Sequence, residues 1–395
     1  MEPEEAAAEN FGGGGACVVV PDGHWPKALP VIRALGKGGL DVSVCAQTRL
    51  CPALFSRWSG RLRVVPGAGE HPEECAQALA ALCDELAAHG GPPVLVPMEE
   101  ESAALFYDAR FRGKALFLMP PRASFDMACD KFRTFSLARQ LDIPAPESHY
   151  LATPDDLLHF RDTHGGAGRA WVVKPVRSSG ARGVRYALPS TAADCEAYFR
   201  SFGACLVQER VGSGFIAVGT SFLFDAAGRR VAAFCHDRLD EHPLTGGAST
   251  YRISSHRPGL LAMAEKLLGA LSWRGLAMIE WKYNPATEDC ALLEINPRLW
   301  GSVELPVRAG VNFPLLYAQA CLGRETAPVG EYPRGLACGW LAGALLNFFR
   351  HGRKVSLDLP RYQEWDASDI RGSLSSVVLP PLQYLHPVFR KKTAR

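Results

Sequence analysis

Leu276-Ala277-Met278-Ile279-Glu280-Trp281-Lys282, a turn at Asn284-Pro285-Ala286-Thr287, and Ala291-Leu292-Leu293-Glu294-Ile295-Asn296-Pro297-Arg298 form the stretch on which the reading of this sequence turns. Both runs read as strands. Period-two geometry places Glu280 and Lys282 on one face of the first, and Glu294 and Asn296 on one face of the second. Side chains two apart on a strand are separated by roughly 7 Å, close enough to converge on neighbouring cations. Carboxylate and amide oxygens, with no histidine or thiol among them, are hard ligands of the kind that suit magnesium. Charges set between Leu, Ile and Met are costly to bury unpaired. The plain alternative is a structural salt bridge, such as Glu294 with Arg298.

Three segments upstream carry related signals. Trp171-Val172-Val173-Lys174-Pro175 is a strand ending in a lysine, followed by the small-residue loop Val176 to Val184 and by strand-like Arg185-Tyr186-Ala187. A lysine at a strand end beside a Gly/Ser hairpin can hold a polyphosphate, the ammonium as a point charge and the loop through backbone N–H groups. No G-K-[ST] follows, so this is not a P-loop; an ordinary exposed hairpin is the alternative. Asp130 reads as the N-cap of a helix whose apolar stripe is Phe132, Phe135, Ala138 and Leu141. Lys131 lies in its first turn, where a cation opposes the helix dipole unless an anion is near. Cys205-Leu206-Val207-Gln208-Glu209-Arg210-Val211 is a strand that breaks at Gly212-Ser213-Gly214 and resumes as Thr220 to Phe224.

The remainder bounds the class. The chain has 395 residues, 47% hydrophobic and 21% charged, ordinary for a globular protein of two or three packed units. A net charge of +2 is too small to argue for nucleic acid. Twelve cysteines are scattered singly, without a C-x-x-C pair or zinc spacing, and the acidic start Met1-Glu2-Pro3-Glu4-Glu5 has no apolar run behind it. Reduced thiols in the cytoplasm are the simplest expectation. Leu336 to Phe349, the most apolar segment, is too short for a membrane helix and reads as buried.

Residues 1–15 are expected to be a flexible leader. From 16 to 120, strands at Ala16–Val20, Asp41–Cys45, Arg63–Val65, Pro93–Pro97 and Leu116–Leu118 alternate with helices at Leu29–Leu35 and Pro72–His89, which points to a Rossmann-like α/β unit with an open parallel sheet. It has no G-x-G-x-x-G after its first strand, so a dinucleotide fingerprint is absent. Residues 121–330 mix hairpins with helices, and 331–395 read as a helical and irregular C-terminal extension.

Taken in order, Lys131 with Ile143-Pro144-Ala145-Pro146, Val173-Lys174-Pro175 with its glycine-rich loop, Gln208-Glu209-Arg210-Val211, and Leu293-Glu294-Ile295-Asn296-Pro297-Arg298 resemble the motifs of ATP-grasp enzymes. The resemblance covers about residues 16 to 330, an α/β fold in which a pre-ATP-grasp unit precedes the ATP-grasp module. His236-Asp237-Arg238-Leu239, Thr245-Gly246-Gly247-Ala248-Ser249-Thr250 and Asn296-Pro297-Arg298-Leu299-Trp300-Gly301-Ser302 look like a bacterial branch described as carboxylate–amine ligases. The resemblance implies that Lys131 and Lys174 hold the phosphates of ATP, that the loop with Ser178, Ser179, Gly180 and Gly183 is a lid over them, and that Gln208, Glu209 and Val211 belong to the adenine hinge, Glu209 and Val211 through their backbones. It further implies that Glu280, Glu294 and Asn296 hold two magnesium ions, for which manganese can substitute, and that Arg298 steadies the γ-phosphate. Relatives carry an acid just after the hinge for the ribose hydroxyls; Gly212-Ser213-Gly214-Phe215 offers none here.

The expected reaction activates a carboxylate as an acyl phosphate and joins it to an amine, with Arg298, Lys282 and Arg238 as catalytic side chains. His236, Arg238 and Arg252 are candidates to bind substrate carboxylates. The partners are small-molecule carboxylates and amines, with neither nucleic acid nor membrane, and a homodimer is compatible with this reading. The rivals are an ATP-grasp enzyme with a thiol acceptor or phosphotransfer outcome, and a non-catalytic nucleotide-sensing module.

Overall fold

A computed structural model describes residues 16–385 except 166, 167, 179, 244, 245 and 357. The expected leader, Ser179, Thr245 and the basic end Arg390–Arg395 therefore lie outside the described residues.

The first sheet is parallel and four-stranded. β1 (Cys17–Val20), β2 (Asp41–Ala46), β3 (Arg61–Val64) and β4 (Val94–Leu95) run in the order β3-β2-β1-β4. Helices α1 (Ala28–Lys37) and α2 (Pro72–Gly90) make the crossovers, and α3 (Glu100–Leu105) follows β4. The expected strand at Leu116–Leu118 is reduced to a single bridge between Val94 and Leu116. The Leu118 N–H instead donates to the Tyr317 hydroxyl at 3.1 Å, so a side chain takes the place of a strand partner.

Helices α4 (Arg122–Ala128) and α5 (Lys131–Gln140) lead to a three-stranded antiparallel sheet of β5 (Ser148–Leu151), β6 (Trp171–Pro175) and β7 (Cys205–Glu209), order β5-β7-β6. One face of it is covered by α6 (Pro154–His164) and α7 (Ala192–Phe202), through Leu157, Phe160, Cys195 and Tyr198. Both helices start with a Thr–Asp capping box.

The largest sheet is antiparallel and six-stranded: β8 (Ile216–Phe224), β9 (Arg230–His242), β10 (Ala248–Ser255), β11 (Gly275–Tyr283), β12 (Cys290–Asn296) and β13 (Ala337–Gly339), in the order β12-β11-β8-β9-β10-β13. Its two faces differ as the alternation requires. Ile279, Trp281, Leu292 and Ile295 pack on one side with Phe135 of α5 and with Leu267 of α8 (Pro258–Ala270). On the other side Leu276 and Met278 join a core with Val18, Val44, Val96 and Trp300. The face that carries Glu280 is thus apolar and covered at one end, and polar where it runs beyond that cover.

After α9 (Glu304–Arg308) and α10 (Phe313–Cys321), the C-terminal stretch adds β13 to the sheet edge and packs α11 (Leu341–His351) on β9 and β10. α12 (Ile370–Leu385) meets the segment after β2, where the Ser375 hydroxyl donates to the Pro52 carbonyl at 3.1 Å. β13 is a strand within a stretch expected to be helical and irregular, formed by pairing with β10. Arg33 of α1, 4% exposed, anchors this stretch through Asp369 at 2.9 Å, Ser373 Oγ at 3.0 Å and the Glu364 carbonyl at 3.0 Å. No helix among the described residues is long and apolar enough to cross a membrane.

Candidate active site

Glu280 of β11 lies directly opposite Glu294 of β12, and Met278 opposite Asn296. A bulge follows at once, so Trp281 faces Leu292 and the apolar side stays in phase. The Asn296 amide donates to Glu280 Oε1 at 3.3 Å and to Glu294 Oε1 at 3.2 Å, which draws the two carboxylates together. Each also meets a cation, Glu280 with Arg238 Nη2 at 2.5 Å and Glu294 with Lys131 Nζ at 3.3 Å. The plain salt-bridge alternative is therefore present in kind, but Glu294 takes Lys131, not Arg298, as its partner. Burial raises the Glu280 carboxyl above its usual range, with Arg238 pulling it back and Glu294 adding to the rise. Burial pushes Glu294 the same way, yet Lys131, Lys174 and Arg298 outweigh it and hold that carboxyl low.

Arg238 reaches Glu280 across an intervening strand. Ala217 and Gly219 of β8 lie between them, Ala217 opposite Arg238 and Gly219 opposite Glu280. Small side chains there leave the sheet surface low enough to cross. His236, opposite Gly219, bonds Ser302 Oγ through Nε2 at 3.0 Å. A Cβ at Gly219 would collide with the His236 ring. Burial, then Arg238 and Arg252, hold the imidazole well below its usual pKa, so it is neutral. His236 and Arg252 have no exposed surface, unlike Arg238, so of the three only Arg238 is open to a substrate carboxylate.

The two upstream lysines meet at the same place. The Lys131 amine also donates to the Ser178 carbonyl at 2.6 Å, tying the helix start to the small-residue loop. Lys174, 8% exposed, sits 5.1 Å over the Phe135 ring. Burial lowers its pKa to about 7, with Lys131 adding repulsion and Glu294 partly offsetting it. In the loop, Gly180, Ala181 and Gly183 have φ of 62°, 59° and 75°. A Cβ at Gly183 would come within 2.7 Å of Pro175 Cγ, so glycine is required on both counts.

At the hinge, Gln208 is buried and donates to Ser148 Oγ at 2.8 Å, while the Glu209 N–H is committed to the Glu147 carbonyl at 2.9 Å. Val211 follows the end of β7. Lys282 lies on the Glu280 face, opposite Ala291 and Ala217, and no hydrogen bond or ion pair joins its side chain to another described residue.

Arg298 brings in residues that the sequence reading missed. It lies 3.8 Å from Glu99 and 3.7 Å from Glu100, just past β4, and its Nη1 donates to the Leu299 carbonyl at 3.0 Å. Lys27 pairs with Glu99 at 2.8 Å and also donates to the Leu299 carbonyl at 3.0 Å. The available signal was position: open parallel sheets build sites beyond the carboxyl ends of their strands, and the acidic run 99–101 sits there.

Among the described residues no three His, Cys, Asp or Glu side chains form a metal cage. Magnesium is ordinarily held by one or two carboxylates together with substrate phosphates. Two facing carboxylates and an amide oxygen, with Lys131 beside one of them, fit that requirement.

A parallel α/β unit followed by a three-stranded and a large antiparallel sheet, with the lysines and acids converging between them, is the ATP-grasp fold, and this chain has it. A family model described as ATP-grasp in the biosynthetic pathway with Ter operon matches residues 238–344. Among solved structures, N5-carboxyaminoimidazole synthetase from Staphylococcus aureus complexed with ADP is similar at a TM-score of 0.67 and 13% identity, covering 87% of each chain. The biotin carboxylase β-γ-ATP complex from Campylobacter jejuni gives 0.63 and 14%, over 81% of this chain and 74% of that one. The biotin carboxylase domain dimer of Hydrogenobacter thermophilus 2-oxoglutarate carboxylase, in complex with MgADP, ADP and bicarbonate, gives 0.60 and 14%, over 81% and 72%. At these identities the likeness is one of fold.

Proposed function

We propose that this chain is an ATP-dependent carboxylate–amine ligase, which converts a carboxylate to an acyl phosphate and passes the acyl group to an amine with release of ADP and phosphate. The observation that carries the reading is the facing pair Glu280 and Glu294, bridged by Asn296 and met by Lys131.

Lys131 and Lys174 bind the phosphates, and the depressed pKa of Lys174 makes it a proton acceptor until polyphosphate arrives. Glu280, Glu294 and Asn296 hold magnesium, which supplies charge neutralisation to the transferring phosphoryl group. Arg298 orients the γ-phosphate, and Arg238 positions Glu280 and binds a substrate carboxylate. The loop around Ser178 to Gly183 closes over the phosphates and excludes water from a hydrolysable intermediate. The backbone of Glu209 and Val211 meets the adenine.

The test is a coupled ADP-release screen over amino acids and small carboxylic acids, run in pairs with amines. The expected result is ADP formation that needs both partners and magnesium. ADP release with no acid at all, at the rate seen with every pair, counts against ligation.

A further inference from the structure

The residues after β4 include two adjacent carboxylates with different surroundings. Glu99 is neutralised by Lys27 at 2.8 Å and lies near Arg298. Glu100 is not: its nearest cation is Arg298 Nη2 at 3.7 Å, beyond hydrogen-bond reach, and no donor among the described residues bonds it. Its side chain is 19% exposed, and the charges that bear on it belong to the site, namely Arg298, Lys131 and Glu294. A carboxylate withdrawn from water without donors is costly. It is kept beside Arg298, where the acyl phosphate is formed.

An acyl phosphate reacts with a neutral amine, but an amine substrate arrives at neutral pH as an ammonium ion. The groups already given roles in the site are poorly suited to take its proton. Lys131, Lys282, Arg238 and Arg298 are cations, Lys174 is assigned to the phosphates, and Glu280 and Glu294 to magnesium. His236 has no exposed surface.

We propose that Glu100 is the catalytic base of the second half-reaction, binding the amine substrate as its ammonium ion and removing one proton before attack; this rests on the ligase reading. The proton moves from nitrogen to a Glu100 oxygen. The freed electron pair forms the C–N bond at the acyl carbon, the C–O bond to phosphate breaks, and the second N–H proton leaves with the phosphate as hydrogen phosphate. Glu100 then returns its proton to water. The groups facing Glu100 permit this exchange near neutrality: burial lifts its carboxyl to about 7, Arg298 and Lys131 pull it back, and Glu294 and Glu101 add to the rise. The neighbouring Cys129 thiol, itself raised by burial, stays neutral.

The experiment uses the full chain with MgATP, an equimolar mixture of the standard amino acids as carboxylate donors, and methylamine competing with hydroxylamine. The readout is the ratio of methylamide to hydroxamate. Hydroxylamine is uncharged at neutral pH and needs no base, whereas methylamine, like a lysine side chain, is protonated until about pH 10. With Glu100 as base, the wild-type ratio rises with pH only while that carboxyl titrates and levels off well below the pKa of methylamine. Without an enzymic base it climbs about tenfold per pH unit as far as about pH 9, following free methylamine. Glu100→Gln lowers the ratio at neutral pH by roughly 100-fold and removes the plateau. A wild-type ratio that climbs without levelling, or a Gln variant with the wild-type ratio, overturns the role of Glu100. The wild-type profile decides alone if the variant does not fold. No hydroxamate from the wild type, with these amino acids or with small carboxylic acids in their place, rejects the ligase reading itself.

Discussion

Glu280 and Glu294 stand directly opposite each other on adjacent antiparallel strands, and the Asn296 amide donates to one oxygen of each. Like charges in that position destabilise a sheet. Here the repulsion is offset by Arg238 on one side and Lys131 on the other. The pair costs stability that a divalent cation would return, which is the reason to treat it as a binding feature.

Glu294→Gln keeps the shape of the side chain and removes its charge. Magnesium-dependent ADP release is expected to fall by roughly 100-fold or more. A variant with wild-type turnover in the coupled assay would show that Glu294 is not a metal ligand.

Gly219→Ala places a methyl group into the His236 ring. The ring is fully buried and bonded to Ser302, so it has no free direction in which to retreat. Urea denaturation should show a loss of about 1–3 kcal/mol. A loss below the error of the fit means that the ring can shift.

Lys174 links stability to pH. The folded chain releases its proton near 7, whereas an unfolded lysine holds one to about 10. Between these values the unfolded state binds more protons at this side chain, so its contribution to the stability of the ligand-free protein rises as pH rises. Polyphosphate bound at this amine raises its pKa, and MgATP binding near neutrality should take up a proton. Calorimetry in two buffers of different ionisation heat measures that uptake, and Lys174→Met should abolish it.

Arg33→Met leaves Asp369 buried without its cation, although Ser56 Oγ and the Arg57 N–H still donate to it. The expected cost is about 3–5 kcal/mol in urea denaturation. Adding Asp369→Asn should recover part of it. An Arg33→Met protein as stable as the wild type would mean that the C-terminal stretch is not held by this contact.

The sequence by itself determined the two strands that carry the acids and the faces of each. Period-two alternation through 276–282 and 291–296 put Glu280, Glu294 and Asn296 on one side, and the structure has them on one face. This is a local property, because pleat parity follows from each residue's own backbone. The capped start of α5 at Asp130 and the lysine at the end of β6 were legible for the same reason.

Tertiary structure alone decided the partners. The bulge after Glu280 sets which carboxylates face each other, and nothing in the composition of the strand announces it. That Glu294 pairs with Lys131, that Arg238 crosses β8 over Ala217 and Gly219, and that Glu99 and Glu100 meet Arg298 all depend on distances between elements far apart in the chain. Ion pairs form with whatever charge the packing of separate layers brings within a few ångströms, and that packing is a property of the whole core rather than of any segment.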